Sequence, residues 1–182
     1  MKLSNKDKLI IIDMINGFVH KGPLSSKNVK NLVPKMSNFI KNNIHDGIEI
    51  YHYTDSHPVN CNEFKVFPPH CIQNTYESEV ITELKFNEIE IIHKNSTNGF
   101  LAKNPFGNNI KNLYIIGCVT DICIYDFAYT AIKYVHEKNL NVSINVIENL
   151  CATFDAPDHD SKIVHSQTIN KLKQSGINII SI

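Results

Sequence analysis

Six short apolar runs punctuate the chain: LIIID at 9–13, IEIYHYT at 48–54, IEIIH at 89–93, LYIIG at 113–117, VSINVI at 142–147 and INIISI at 177–182. They are rich in isoleucine and read as strands. Between several of them the apolar period changes from 2 to about 3.6. Val29, Leu32, Val33, Met36, Phe39 and Ile40 form one helical stripe, and HDG at 45–47 supplies a glycine stop. Ile124, Phe127, Ala128, Ala131, Ile132 and Val135 form another. Residues 157–175 read as a third helix, with Pro157 and Asp158 suited to its first turn. Alternating strands and helices predict an α/β protein whose parallel sheet is covered on both faces. Segment 56–76 is too polar and broken for a regular element, and so long an irregular stretch in a compact domain usually carries function.

Composition narrows the class. The 182 residues suit a single domain, 1–182, and 42% hydrophobic with 20% charged content is that of a soluble globular protein. Lysines and acids balance at 18 each with no block of one sign, which argues against a nucleic-acid surface or a membrane patch. Every basic residue is lysine, so no planar fork exists for bidentate carboxylate or phosphate recognition. The apolar start of the chain breaks at Asp13, too soon for a signal-peptide core, and no run is long enough to span a bilayer. Five cysteines without framework spacing point to reduced thiols and a cytoplasmic setting. Asn95-Ser96-Thr97 and Asn141-Val142-Ser143 match the glycosylation pattern and read as chance.

The chemistry gathers at strand ends, where open parallel sheets bind ligands. The first run ends in Asp13, the second in Asp55 and the third in Lys94, and the fourth leads through GCVTD to Cys123. Charges set hard against apolar strands need partners, because burying each alone costs several kcal/mol. With Thr120 or Asp121 as N-cap, Cys123 falls in a first helical turn, where unpaired N–H groups and the helix dipole lower a thiol pKa. A lysine and a carboxylate across the pocket complete the parts of an activated nucleophile. The competing reading is an inert core cysteine, which Cys118 fits better. Four residues separate the two cysteines, so they form no CxxC redox motif. No glycine-rich phosphate loop supports a flavodoxin-like role.

The loop DSHPVNCNEFKVFPPH offers a second constellation. Asp55 and His57, two apart, face the same way in extended chain, and Glu63 and His70 follow in the same segment. Two histidines and two carboxylates suit one divalent ion, Zn first, with Mn or Fe as alternatives. Cys61 is an alternative, softer ligand, and histidines that merely fill turns are the bland reading.

Together these residues resemble the isochorismatase-like cysteine hydrolase superfamily, and within it the nicotinamidase (pyrazinamidase) branch. DMINGF at 13–18, DSHPVNCNEF…FPPHC, Lys94 in IIHKNSTNGF, GCVTDICIYDFA and CATFDAPDHD match its segments in family order over nearly the whole chain. Ile15 and Gly17 replace a glutamine and an aspartate of the family opening, Cys61 stands where many members have a third metal histidine, and Phe67 stands where a tryptophan is common. The resemblance implies a three-layer α/β/α, Rossmann-like fold around a mostly parallel six-stranded sheet. It implies Asp13 as base, Lys94 and Cys123 as the other catalytic residues, and Asp55, His57, Glu63 and His70 around the metal. It further implies an oxyanion hole from Val119 and Cys123, a non-proline cis peptide at Val119-Thr120, and a substrate slot between Phe18 and Phe67. The implied activity is hydrolysis of nicotinamide to nicotinic acid and ammonia in NAD salvage, through a thioester on Cys123. Other small amides (N-carbamoyl, ureido or biuret-type) and a non-catalytic ligand-binding role are the alternatives. The partner is a small-molecule amide, and self-association into a homo-oligomer stays open.

Overall fold

In the computed structural model, which describes residues 1–107 and 109–182, six strands form one parallel sheet in the order β3-β2-β1-β4-β5-β6. The strands are β1 (Asp7–Ile12), β2 (Glu49–Asp55), β3 (Ile89–Lys94), β4 (Asn112–Cys118), β5 (Ser143–Ala152) and β6 (Asn178–Ile180). Helices α1 (Asn16–Val19), α2 (Lys27–Lys30) and α3 (Val33–Lys41) fall between β1 and β2; α4 (Tyr125–Glu137) and α5 (Ser161–Gln174) follow β4 and β5. Side-chain alternation along β1 divides the apolar groups between the two sheet faces. Leu9 and Ile11 join Val29, Val33, Met36 and Ile40 in one core, while Ile10 and Ile12 join Phe127, Ala131, Ile132 and Leu172 in the other. The three-layer α/β/α architecture expected from the sequence is therefore present, with every strand pair parallel. Among the described residues no helix is long and apolar enough to cross a membrane.

Several element bounds differ from the sequence pattern. The stripe at 29–40 is two helices, because Pro34 near the start of α3 has no N–H to continue the first one. Its expected stop, Gly47, instead takes φ +88° in the turn before β2, while α3 already ends at Lys41. The third helix starts at Ser161 rather than 157, since Asp160, not Pro157 or Asp158, caps it by accepting from the N–H groups of Lys162 and Ile163. β5 runs five residues past the apolar pattern, to Ala152, and β6 is shorter than its pattern. Segment 56–76 is irregular apart from the short turn Asn62–Lys65, an isolated His57–Ile72 bridge and the start of a second turn, Tyr76–Ser78, as its composition indicates.

Consecutive strands step outward from β1 on one side and from β4 on the other, so the chain reverses direction across the sheet between β1 and β4. A crevice opens at such a switch point, beyond the strands' carboxyl ends. Gly117 lets the two strands close up there: at φ +126°, a Cβ on it would stand 2.1 Å from the Ile12 carbonyl oxygen. Gly117→Ala is expected to cost about 3 kcal/mol or more, seen as a large fall in the urea midpoint.

His52, fully buried on β2, accepts the Met14 N–H at Nε2 (3.1 Å), a bond that needs the neutral ring. Burial lowers its pKa to about 3. The unfolded chain, with an ordinary histidine, then binds the extra proton below about pH 6.5, so His52's stabilising share is intact above that pH and lost as pH falls. Between pH 7 and 5 the loss is about 2 kcal/mol. His52→Gln, which keeps an acceptor, is expected to flatten the urea-midpoint profile over that window by this amount.

Candidate active site

Three strand ends and one turn bring Asp13, Asp55, Lys94 and Cys123 together. Asp13, one residue past β1, takes φ +55°, a left-handed conformation that aspartate tolerates better than most residues. Its N–H bonds to the Tyr53 carbonyl (2.9 Å) and its Oδ1 accepts the Asp55 N–H (2.8 Å), which locks the carboxylate against β2. Lys94, at the end of β3, sends Nζ to within 2.9 Å of Asp13 Oδ2 and 3.8 Å of Cys123 Sγ, and donates to Asp55 Oδ1 and the Ser96 carbonyl. Asp13, Asp55 and Cys123 present atoms within 4.8 Å of one another. All four residues are buried.

The electrostatics follow from that burial. Burial first, and then the neighbouring Asp55 charge, raise the Asp13 pKa to about 6, with Lys94 opposing. Burial alone would drive Lys94 toward neutrality, but Asp13 and Asp55 outweigh it and hold the ammonium charged. Cys123 runs against expectation. Burial raises its pKa well above the usual thiol value, and the Lys94 charge only partly offsets this. Burial thus favours the thiol form over the thiolate beside the Asp13 carboxylate.

The turn carrying Cys123 also differs from a capped helix start. Residues Thr120–Ile124 form a wide π-type turn entered from Val119, and neither Thr120 nor Asp121 caps it. Their side chains bond outward instead, Thr120 to His165 and Asp121 to His159. The cis peptide lies one residue earlier than the resemblance implied, at Cys118-Val119. Cys118 is buried in the core and donates to the Asp13 carbonyl (3.1 Å), in keeping with a packing role.

Beside this group the irregular loop gathers Asp55, His57, Glu63 and His70. His57 Nε2 lies 3.5 Å from Asp55 Oδ1 and 3.6 Å from Glu63 Oε2, and His70 Nε2 lies 3.7 Å from Asp55 Oδ2. His70 Nδ1 donates to the Pro68 carbonyl (2.8 Å) and His57 Nδ1 faces Asn95 Oδ1 (2.9 Å), so each ring turns its Nε2 lone pair toward carboxylates. His57 Nε2 and Glu63 Oε2 are buried without a hydrogen-bond partner. Acceptors facing acceptors repel unless a cation stands between them. Asp55, His57 and His70 each offer an atom within 4.8 Å of the others, close enough to share one ion, while Glu63 groups with His57 and Cys61. Charge agrees: Asp13, Asp55 and Glu63 against Lys94 leave an excess of two negative charges, which a divalent ion would balance. Without one, the His57 ring takes up a proton instead: burial opposes it, but Asp55 raises the His57 pKa to about 9. Cys61 lies beside His57 Nδ1 (3.4 Å) and Asn95 Oδ1 (3.1 Å), whereas Glu63 lies on the Nε2 side of the ring.

A cavity of about 310 Å³ opens over these groups, lined by Phe18, Leu24, Phe67, His70, Ile122, Cys123 and Phe154. Phe18 and Phe67 both meet His70 edge-on, with centroids 5.8 and 6.3 Å away. Phe18 and Phe67, expected from the sequence, both line the cavity; Leu24, Ile122 and Phe154, single apolar residues with no periodicity pointing to a pocket, were not foreseen. Nor was Asn95, whose only signal was a glycosylation-like triplet.

Nicotinamidase 1 of Arabidopsis thaliana is 29% identical over 177 residues, which cover 85% of this chain and 72% of that protein. The pyrazinamidase of Pyrococcus horikoshii, solved in complex with zinc, superposes with a TM-score of 0.80 at 25% identity, covering 97% of this chain and 99% of that one. PnC1 of L. infantum, solved in complex with nicotinate, superposes with a TM-score of 0.80 at 22% identity over 100% of this chain and 96% of that one. The family model described as Isochorismatase domain matches residues 8–181, and the chain belongs to the isochorismatase family.

Proposed function

We propose that this protein is a metal-assisted cysteine amidohydrolase that converts nicotinamide to nicotinic acid and ammonia, a step of NAD salvage. The observation that carries this reading is the buried Asp13–Lys94–Cys123 group at the floor of an aromatic-walled cavity. The 29% identity to a plant nicotinamidase supports the substrate. The slot between Phe18 and Phe67 suits a flat ring. Its charged lining residues include the carboxylates of Asp55, Glu63 and Asp155, and the chain has no arginine, so a neutral amide suits it better than an anionic N-carbamoyl amino acid.

In this mechanism Asp13 takes the Cys123 thiol proton as Sγ attacks the amide carbon. Lys94 keeps the ammonium charge beside both, which favours the thiolate as it forms. The N–H groups of Val119 and Cys123 donate to the tetrahedral oxyanion. As the C–N bond breaks, Asp13 passes its proton to the leaving amine, releasing ammonia and a thioester. Water then loses a proton to Asp13 and attacks the thioester, and collapse returns the proton to the Cys123 sulfur and frees the acid. Asp55, His57, Glu63 and His70 would hold one divalent ion, zinc first, which when bound supplies Lewis-acid orientation of a ring nitrogen or water.

Purified protein is expected to release ammonia from nicotinamide. Cys123→Ala should abolish the release, and Asp13→Asn should slow it by about 100-fold or more. Ammonia from biuret or N-carbamoyl compounds but not from nicotinamide would move the substrate to a sibling amide. Full activity in Cys123→Ala would end the covalent reading.

Zinc affinity, measured by competition with a chromophoric chelator, is expected to fall on the order of 100-fold in Glu63→Gln and about tenfold in Asn95→Ala. Cys61→Ser should change it least. A larger loss in Cys61→Ser than in Glu63→Gln would assign the fourth ligand to the sulfur.

A further inference from the structure

Between β5 and α5 the chain turns back over the cavity, which it walls with Phe154, Asp155 and Ala156. Behind that wall, His159 lies flat on Phe154, with ring centroids 4.0 Å apart and planes 6° from parallel. Its Nδ1 donates to the Phe154 carbonyl (2.9 Å) and its Nε2 to Asp121 Oδ2 (2.9 Å). With both ring nitrogens facing acceptors, the imidazole is satisfied as the cation, the form an ion pair with Asp121 requires. Asp121 sits in the turn that carries Cys123, and its other oxygen, Oδ1, is buried with no hydrogen-bond partner. One side chain thus joins the nucleophile's turn to the wall facing it. The outer edge of the wall is held independently, by Asn28 Nδ2 bonds to the Thr153 carbonyl (3.1 Å) and Asp155 Oδ2 (2.8 Å).

We propose that His159 is a positioning residue that, through its stack on Phe154 and its pairing with Asp121, holds that wall flat and so selects planar ring amides over aliphatic ones. The inference rests on the amidohydrolase reading only for its choice of substrates. His165 is the internal control. It ties the same turn at Thr120 (2.9 Å) but, among the described residues, stacks on no residue of the wall. Loss of His165 loosens the nucleophile for every substrate alike, whereas loss of His159 removes discrimination between substrates.

The test compares kcat/KM for nicotinamide and propionamide. In His159→Ala the nicotinamide preference is expected to drop about tenfold, the scale of a lost aromatic stack, through a higher KM with kcat little changed. Asp121→Ala should match it, and Asp121→Asn, which keeps an acceptor for Nε2, should restore most of the preference. His165→Ala should lower both substrates together. An unchanged preference in folded His159→Ala overturns the proposal, as does an equal loss of preference in His165→Ala. If His159→Ala does not fold, Asp121→Ala reads the same coupling. A second arm needs no amidase activity: alkylation of Cys123 by iodoacetanilide and by iodoacetamide, scored by peptide mass. The aryl-to-alkyl rate ratio should fall in His159→Ala toward that of a free thiol. If wild-type protein hydrolyses neither amide, the proposed function fails while this arm still decides the role of His159.

Discussion

One ammonium group, Lys94 Nζ, stands between two carboxylates and a thiol with almost no access to water. A charge in that position is tolerable only if its partners are fixed before it is buried, because several kcal/mol are at stake for each unpaired ion. Asp13 and Asp55 are so fixed, one by the other's backbone N–H, and neither can retreat from Lys94. The consequences spread outward from this contact. Two carboxylates serve one lysine and a third, Glu63, lies close by, so the region carries surplus negative charge. That surplus meets two histidines whose free nitrogens have been turned toward it by Asn95 and the Pro68 carbonyl. The same surplus, together with burial, raises the Asp13 carboxyl and the Cys123 thiol above their ordinary pKa values, as the proposed proton transfer between them requires.

The sheet supplies the convergence. Because strand order reverses between β1 and β4, the loops that follow them part and leave a crevice, while β2 and β3 bring Asp55 and Lys94 in beside β1 at neighbouring register. The Asp55–Lys94 register pair sets the lysine beside its partner. Gly117 allows β4 to lie against Ile12 closely enough that the Cys118 side chain reaches the Asp13 carbonyl. A small change in strand contact would therefore reach the turn that carries Cys123.

Much of this was legible in the chain. The isoleucine runs marked all six strands: the central strands, buried on both faces, favour branched apolar side chains, and the partly exposed edge strands β3 and β6 carry the same residues at alternating or partly buried positions. The polar residues abutting those runs marked the buried group that meets at the strand ends, since charge beside an apolar strand needs a partner. Bounds were less legible. Asp160 rather than Pro157 starts α5 because the chain first turns back through Ala156–His159, a tertiary excursion with no period to betray it. Asp121 and Thr120 resembled helix caps by type, but each found a histidine from the other side of the crevice.

By itself, then, the sequence determined what is local or cumulative: the strands, the alternation that puts a helical layer on each sheet face, the family-ordered motifs, and which residue types could react or bind metal. Tertiary structure decided what depends on distance and solvent. It placed Glu63 and not Cys61 on the lone-pair side of His57, and kept Cys123 a thiol despite its nearby lysine. It also made Phe154 a wall and His159 its support. Propensity and periodicity act between neighbours in sequence, whereas burial, charge pairing and stacking join residues the chain separates, and they take effect only when the sheet closes.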